Sequence, residues 1–301
     1  MITVLSSAPA SGAIFSTLID GLSLGSIYAL IALGYTMVYG IAKMLNFAHG
    51  DIIMVGAYAI FSTMALCGFP IAAVVVSLIV CTVLGIVIEK VAYKPLRGAS
   101  PLAVLITAIG VSYLLQSIAQ LIFGAQSRPV TLVSFGHVTV GGVTINISTI
   151  ITLAVGAAVM AALTVFIKKT KLGRAMIAVS EDRGAAELMG INVNLIISTT
   201  FAIGSALAAC ASVFYLMQIP SASPTLGSMP GIKAFTAAVI GGIGSIPGAM
   251  IGGVLLGLIE KVCLSIDVLS PYTTAIEFSL LIVILLVKPT GLLGRKRREK
   301  V

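Results

Sequence analysis

A short polar stretch interrupts the long apolar region in the first part of the sequence. It contains Lys43, Asn46, His49 and Asp51. Polar side chains are costly at membrane depth, so they face a cavity or one another. A helix break would also leave backbone N–H groups at the start of the next helix, where they can meet a carboxylate. The stretch is therefore either a short loop at the water line or a helix break that lines a path for a polar solute.

A second interruption lies in the last third of the sequence. Glycine and proline at high density do not form an ordinary helix interior, and this stretch reads Gly241-Gly242-Ile243-Gly244-Ser245-Ile246-Pro247-Gly248. Two broken segments in comparable positions of two halves are typical of transporters built from an internal repeat, with the solute path between the halves. The sequence therefore predicts an internal two-fold repeat.

The amino-acid composition indicates that both stretches belong to a membrane protein. Of the 301 residues, 58% are hydrophobic and 9% are charged, whereas about 25% are charged in soluble domains. This excludes a soluble enzyme, a disordered tail and a nucleic-acid-binding domain. The excess of 18 Lys and Arg over 10 Asp and Glu suits loops that face anionic lipid, so no nucleic-acid partner is expected.

Long gaps between charged residues predict an all-α polytopic fold in one domain, 1–301, with about eight segments of the ~20 residues that cross a bilayer. The apolar runs are continuous rather than alternating, which excludes a strand barrel.

Segment 232–262 must return to the side where it starts, as two short spans or a re-entrant hairpin. Whether 40–69 crosses or re-enters stays open, and with it the side of the N-terminus. The predicted segments are 14–40, 50–67, 71–89, 101–123, 147–167, 196–217, 232–262 and 272–288.

Three basic clusters orient these segments. By the positive-inside rule the clusters lie in the cytoplasm, whereas loops 124–146 and 218–231, which carry almost no charge, lie outside. The third cluster forms a basic cytoplasmic tail, 289–301. The clusters are Lys90, Lys94 and Arg97; Lys168, Lys169, Lys171, Arg174 and Arg183; and Arg295, Lys296, Arg297, Arg298 and Lys300.

Pairs of glycines four residues apart predict close helix packing. Small residues at this spacing let helix backbones approach one another in lipid. We expect the contacts to lie within one chain rather than at a dimer face. The pairs are Gly21 with Gly25, Gly248 with Gly252, and Gly253 with Gly257.

The predicted cytoplasmic loop 168–195 contains a short amphipathic helix. Its apolar side chains are Ala185, Leu188, Met189 and Ile191. Such a helix can dock on a soluble protein or lie on the lipid surface. Glu181 and Asp182 at its start favour a protein partner, because anionic headgroups repel carboxylates.

No catalytic pattern occurs in the sequence. It lacks the GxxxxGK[ST] motif of ATP-binding loops and the GxSxG motif of hydrolases. His49 and His137 do not have the spacing of metal ligands. The sequence therefore argues against an enzyme, a resident metal and a cofactor bound by this chain.

Several long motifs closely resemble LivH-type permeases, the membrane subunits of ABC importers for branched-chain amino acids. The resemblance extends over nearly the whole chain from about residue 14, with the motifs in the same order. They are Gly25–Gly40 (GSIYALIALGYTMVYG), Leu45–Asp51 (LNFAHGD), Gly173–Met176 (GRAM), Glu181–Arg183 (EDR), Lys233–Ala249 (KAFTAAVIGGIGSIPGA) and Lys288–Arg295 (KPTGLLGR).

The resemblance implies a set of partners in the bacterial inner membrane. They are a second, LivM-like permease, two cytoplasmic ATPases that use ATP and Mg, and a periplasmic amino-acid-binding protein. Membrane subunits of such importers contact their ATPase through an EAAxxxG coupling helix. Here Gly184 stands where that pattern has Glu, so Glu181 or Asp182 takes the acidic role. The expected coupling residues are Glu181, Asp182, Ala185, Ala186, Glu187 and Gly190.

The resemblance also implies a hydrophobic amino acid as cargo. Only its zwitterionic head needs polar groups, and the expected path residues are Asn46, Phe47, His49, Thr236, Gly242 and Ser245. Two alternatives stay open. One is a permease of the same architecture for urea or short-chain amides, and the other is a secondary transporter, which predicts ion-coupling carboxylates within the spans.

Overall fold

The computed structural model describes residues 10–133, 136–140 and 143–294. In these ranges, eight helices are long and apolar enough to cross a membrane, which confirms the predicted all-α polytopic fold. The charged part of the predicted basic tail, from Arg295 onward, lies outside the described residues. The chain is a multi-pass membrane protein.

The first half contains four long helices. α1 spans Ala10–Ala42, α2 spans His49–Cys67, α3 spans Pro70–Ile88 and α4 spans Pro101–Phe123. A π-helix, Glu89–Tyr93, and a 3-10 helix, Lys94–Leu96, extend α3. Proline in the first turn of α3 and α4 suits a helix start, because the missing N–H has no helical partner there.

The second half adds long and short helices. α5 spans Ile147–Lys169, α6 Lys171–Glu181, α7 Arg183–Leu188 and α8 Val193–Gln218. They are followed by α9, Ser228–Gly241; α10, Ile246–Leu264; a 3-10 turn, Ser270–Tyr272; and α11, Thr273–Val287. α1 and α8 are the most buried of the spans, and α4 and α11 are the least buried.

The described parts of the connections contain four short strands. β1, Arg128–Pro129, pairs antiparallel with β4, Ser221–Ala222, and β2, His137–Val140, pairs antiparallel with β3, Val143–Asn146. The first pair joins the two connections that were predicted to lie outside. It therefore ties the loop after α4 to the loop after α8.

Side-chain contacts define two sides of the molecule. Arg183, the first residue of α7, donates to the carbonyl of Ala42 at the end of α1, and Arg97 donates to Asn194 at the start of α8. We call this the basic side, because it carries both described basic clusters. At the other end of α1, the Thr149 hydroxyl donates to Asp20 over 3.3 Å. The described part of α1 therefore starts on the side opposite to the basic side.

α2 begins inside the molecule rather than at its surface. His49 packs against Gly34, which lies eight residues before the end of α1 at Ala42. At 1.5 Å per residue this is about 12 Å from the basic side. Residues 43–48 therefore lead the chain from the basic side back to the interior of the protein. Lys43 has a left-handed backbone conformation with a φ of 55°. The polar stretch is a helix break within the fold.

Segment 232–262 is a hairpin of one short and one long helix. α9 has 14 residues, about 21 Å at 1.5 Å per residue, which is less than the ~30 Å of a hydrocarbon core. The chain turns at Gly242, whose φ is 106°, and α10 returns to the opposite side. The carbonyls of Ile240 and Gly241 accept hydrogen bonds from the backbone N–H groups of Leu292 and Leu293 over 2.8 and 2.9 Å. The segment after α11 therefore supplies hydrogen-bond donors to the carbonyls at the end of α9.

α1 and α10 pack through the predicted glycines. A methyl group on Gly25 would lie 2.7 Å from the Val254 Cα atom and 2.9 Å from the Val254 carbonyl oxygen. Gly257 faces Gly25, and Gly253 faces Ala29. On the other face of α10, Gly248 and Gly252 contact α9. The glycine pairs therefore bring helices of one chain together, as expected.

We predict that Gly25→Ala lowers the thermal midpoint of the purified protein, because backbone atoms of α10 cannot move aside for a side chain. Overpacking of this kind costs about 1–3 kcal/mol. Gly110→Ala is the matched control, since a methyl group there meets no atom within 4 Å. Equal midpoints for the two variants would contradict the assigned packing.

Candidate functional site

A cavity of about 270 Å³ opens where α1, α2, α4 and α9 meet. Small-molecule sites usually measure about 300–1,000 Å³, so this cavity suits a small solute. Its wall consists of aromatic, aliphatic and polar side chains and of the backbone of three glycines. The lining residues are Tyr35, Phe47, Gly50, Asp51, Ile109, Ser112, Tyr113, Gln116, Gly227, Ser228, Gly231 and Ile232.

Two helices start at this cavity, in contact with each other. A methyl group on Gly50 would lie 2.5 Å from the Gly227 carbonyl oxygen and 3.1 Å from the Gly231 Cα atom. Glycine at these positions therefore lets the first turns of α2 and α9 touch. Because a helix start carries a partial positive charge, the cavity combines two such ends inside the protein.

The polar part of the wall is a connected network around Asp51. This residue is 2% exposed, and its Oδ1 atom accepts a hydrogen bond from Gln116 Nε2 over 2.8 Å. The same Gln116 nitrogen lies 3.3 Å from the hydroxyls of Ser112 and Ser228. The network therefore joins α2, α4 and α9 around a buried carboxylate.

Aromatic and aliphatic side chains form another part of the wall. The ring of Phe47 lies 5.2 Å from that of Phe235, and the ring of Tyr35 lies 5.9 Å from Phe235. Ile109 and Ile232 line the same cavity. An aliphatic group can therefore lie against this wall without unpaired polar contacts.

Asn46, Phe47 and His49, expected to line a path, occupy different surroundings. Phe47 lines the cavity. Asn46 faces a neighbouring crevice that is too narrow for water, and its Oδ1 atom accepts a hydrogen bond from Tyr93 over 2.9 Å. His49 is buried with its ring 4.7 Å from Tyr35. Only Phe47 of these three borders the open space.

Thr236, Gly242 and Ser245 lie along the α9–α10 hairpin, away from the cavity wall. Thr236 is buried in α9. Gly242 forms the turn against Thr290 and Gly294. Ser245 caps α10, where its hydroxyl accepts from the Gly248 N–H over 3.3 Å. The structure gives Gly242 and Ser245 these local contacts, and the role of all three in transport stays a prediction.

The sequence reasoning missed the partners of Asp51. Gln116 and Ser112 belong to an apolar span that was expected only to cross the bilayer, and Ser228 follows a loop expected to lie outside. A glutamine inside such a span is a signal that could have been used, because polar side chains within spans face the protein interior or a cavity.

A second buried polar cluster was not predicted as a unit. Lys233 in α9 lies 2.7 Å from Glu260 in α10 and 3.2 Å from Glu277 in α11. Tyr28 in α1 donates a hydrogen bond to Glu260 over 2.7 Å. Because each partner belongs to another helix, this cluster joins α9 to three neighbours.

The predicted coupling region forms two helices rather than one. Asp182 caps α7, where it accepts from the Ala185 N–H over 3.0 Å, and Ala186 is buried. Glu181 ends α6, Glu187 is exposed on α7, and Gly190 closes the turn at φ 80°. Two apolar side chains beside them, Leu188 and Met189, are 91% and 82% exposed. An exposed apolar tip therefore projects from the basic side.

The helical bundle and its polar cavity define a membrane permease. The sequence matches the protein family described as "Branched-chain amino acid transport system / permease component" over residues 17–286. The chain belongs to this family.

Among characterised relatives, the permease protein BraD of a high-affinity branched-chain amino acid transport system from Pseudomonas aeruginosa is 48% identical. That alignment covers 94% of this chain and 97% of BraD. The corresponding LivH permease of Escherichia coli is 45% identical over 94% of this chain and 96% of LivH. A solved inward-facing ABC transporter of putative metal-chelate type aligns over 95% of this chain and 91% of its own, with a TM-score of 0.49 at 16% identity.

We predict that Lys233→Met lowers the thermal midpoint strongly, because it leaves two buried carboxylates without a cation. Breaking a buried pair in this way costs about 3–5 kcal/mol. The double variant Lys233→Met with Glu277→Gln should recover part of the loss, since it removes one of the two charges. Lys261→Met, on the same helix as Glu260, is the control. A double variant less stable than Lys233→Met would contradict the assigned network.

Proposed function

We propose that this chain is the membrane-spanning permease subunit of an ATP-driven importer for branched-chain amino acids. The observation that carries the proposal is the polar and aliphatic cavity at the meeting point of two helix starts, in a chain with 48% identity to BraD over nearly its full length. The charged groups of a small amino acid need the polar part of the wall, and its aliphatic side chain needs the apolar part. The chain forms one half of the translocation pathway in the inner membrane.

The energy for uphill transport comes from partner subunits. Two cytoplasmic ATPases that use ATP and Mg dock on the basic side, where Leu188 and Met189 project from α7. Exposed apolar side chains at the end of a short helix fit a groove on a soluble protein. The expected coupling residues from Glu181 to Gly190 surround this tip.

Movement at α7 has a direct route to the cavity. Arg183, the first residue of α7, donates to the Ala42 carbonyl at the end of α1. The break 43–48 follows, and α2 then starts at the cavity wall. A shift of α7 as a rigid element would therefore pull on the break and move α2 against α9.

A second permease subunit of LivM type completes the pathway. α4 and α11 are the least buried spans, so these helices remain available for lipid or a partner. A periplasmic binding protein delivers the amino acid from the side opposite to the basic side. On this assignment the β1–β4 pair lies on the delivery side.

We predict that the assembled importer accumulates radiolabelled leucine in proteoliposomes only with the ATPases, ATP, Mg and the binding protein present. Reconstitution of this chain alone is the control and should show no uphill uptake, because it has no nucleotide site. Uphill leucine uptake by the chain alone would indicate a secondary transporter. Uptake of urea or a short amide in place of leucine would indicate the other cargo.

The docking surface is tested by a charge placed on the apolar tip. We predict that Leu188→Asp prevents co-purification of the ATPases, because it inserts a carboxylate where an apolar contact forms. The matched control is Val268→Asp, which changes an apolar residue that is 77% exposed between α10 and α11. If Leu188→Asp retains the ATPases as well as Val268→Asp does, α7 is not the docking element.

A further inference from the structure

The buried carboxylates in the spans differ in their counter-ions. Glu89 pairs with Arg97, and Glu277 pairs with Lys233. Asp51 is buried to the same degree, yet no Lys, Arg or His nitrogen of the described residues lies within 4.0 Å of its oxygens. Gln116 supplies a hydrogen bond but no charge.

A buried carboxylate without a cation is unfavourable in a membrane protein. Ionisable residues inside spans pair with one another or mark the route of an ion or substrate. Asp51 lines an open cavity, so a cation from outside the chain can reach the place that a Lys or Arg fills elsewhere in the fold. The ammonium group of an amino acid is such a cation.

A neighbouring part of the cavity wall suits a carboxylate. Ser228 starts α9, and its hydroxyl lies in the same wall as the first turn of that helix. A helix start of positive character and a hydroxyl group together favour an anion. The cavity therefore offers a negative side chain and a positive helix end within one space.

The apolar wall completes the fit. Ile232 lies one turn after Ser228 on α9, and Ile109 lies one turn before Ser112 and Tyr113 on α4. Both isoleucines line the cavity beside Phe47. A branched aliphatic side chain can pack against these three residues while the charged head reaches the polar network.

We propose that this cavity is a binding site for the zwitterion of a hydrophobic α-amino acid, in which Asp51 binds the ammonium group. The start of α9 with Ser228 binds the carboxylate, and Ile109, Ile232 and Phe47 contact the side chain. The proposal rests on the transport function proposed above and specifies how that function recognises its cargo.

The first test compares Asp51→Asn and Asp51→Glu in the fully assembled importer. We expect Asp51→Asn to lower the initial rate of leucine uptake at least about tenfold, because it leaves the ammonium group of the solute buried without a counter-ion. Asp51→Glu, which keeps a carboxylate at this position, should restore part of the uptake. Asp20→Asn is the control carboxylate, since Asp20 bonds Thr149 away from the cavity.

A labelling test keeps Asp51 in place, so that it does not depend on the folding of Asp51 variants. Ser112→Cys puts a thiol in the cavity wall, in a background where the exposed Cys67 is changed to Ser. We expect leucine to slow modification of this thiol by a cationic methanethiosulfonate. We expect 4-methylpentanoate, which has the side chain and carboxylate but no ammonium group, to give no protection.

The outcomes separate this proposal from the proposed function. If the wild-type importer fails to accumulate leucine, the transport function is wrong. If it transports leucine but Asp51→Asn transports equally well, the ammonium site is overturned while the function stands. Equal protection by leucine and 4-methylpentanoate, or protection by neither, would also overturn the site.

Discussion

The hydrocarbon environment requires that every backbone polar group find its partner inside the protein. This chain nevertheless breaks its helices twice, and each break is placed where such partners exist. At the first break Arg183 donates to the carbonyl of Ala42, the last residue of α1. At 242–245 the N–H groups of Leu292 and Leu293 satisfy the carbonyls before the turn. The breaks allow α2 to begin within the fold, where it meets the start of α9 in contacts that glycine permits.

The same constraint explains the arrangement of charge. Lys233 is held between carboxylates of α10 and α11, and Glu89 is held by Arg97. These ion pairs join helices and give each of these carboxylates a cation, with Lys233 shared between Glu260 and Glu277. Asp51 departs from this arrangement because its neighbours are hydroxyl and amide groups. The fold thus places a buried carboxylate with no ion-pair partner among the described residues at the cavity, where we propose that the ammonium group of the solute binds.

The cavity and the basic side are connected by the chain that follows the end of α1. Arg183 contacts the Ala42 carbonyl, and the chain from Ala42 leads through the break into α2. α7 itself is short, and Leu188 and Met189 at its end are exposed. The Arg183–Ala42 hydrogen bond and the chain from Ala42 to α2 therefore connect this helix to the cavity wall.

Much of this architecture could be predicted from the sequence. The spacing of charges located the spans, because an unpaired charge in hydrocarbon is too costly to be placed at random. The glycine pairs indicated close packing, and the interruptions at Asn46–Asp51 and Gly241–Gly248 indicated broken helices. These are local properties, since each depends on residues that are neighbours along the chain or along one helix.

The cavity was decided only by the tertiary structure. Gln116 and Ser112 come from α4, Asp51 from α2 and Ser228 from α9, and no spacing along the chain relates them. Lys233, Glu260 and Glu277 likewise meet only after three helices pack. Nothing in the sequence distinguished Asp51, which faces the cavity, from His49, which packs against Gly34. The sequence alone determined which segments enter the membrane and where they break, because burial and helix propensity are local, whereas which polar groups meet inside depends on how the helices pack against one another.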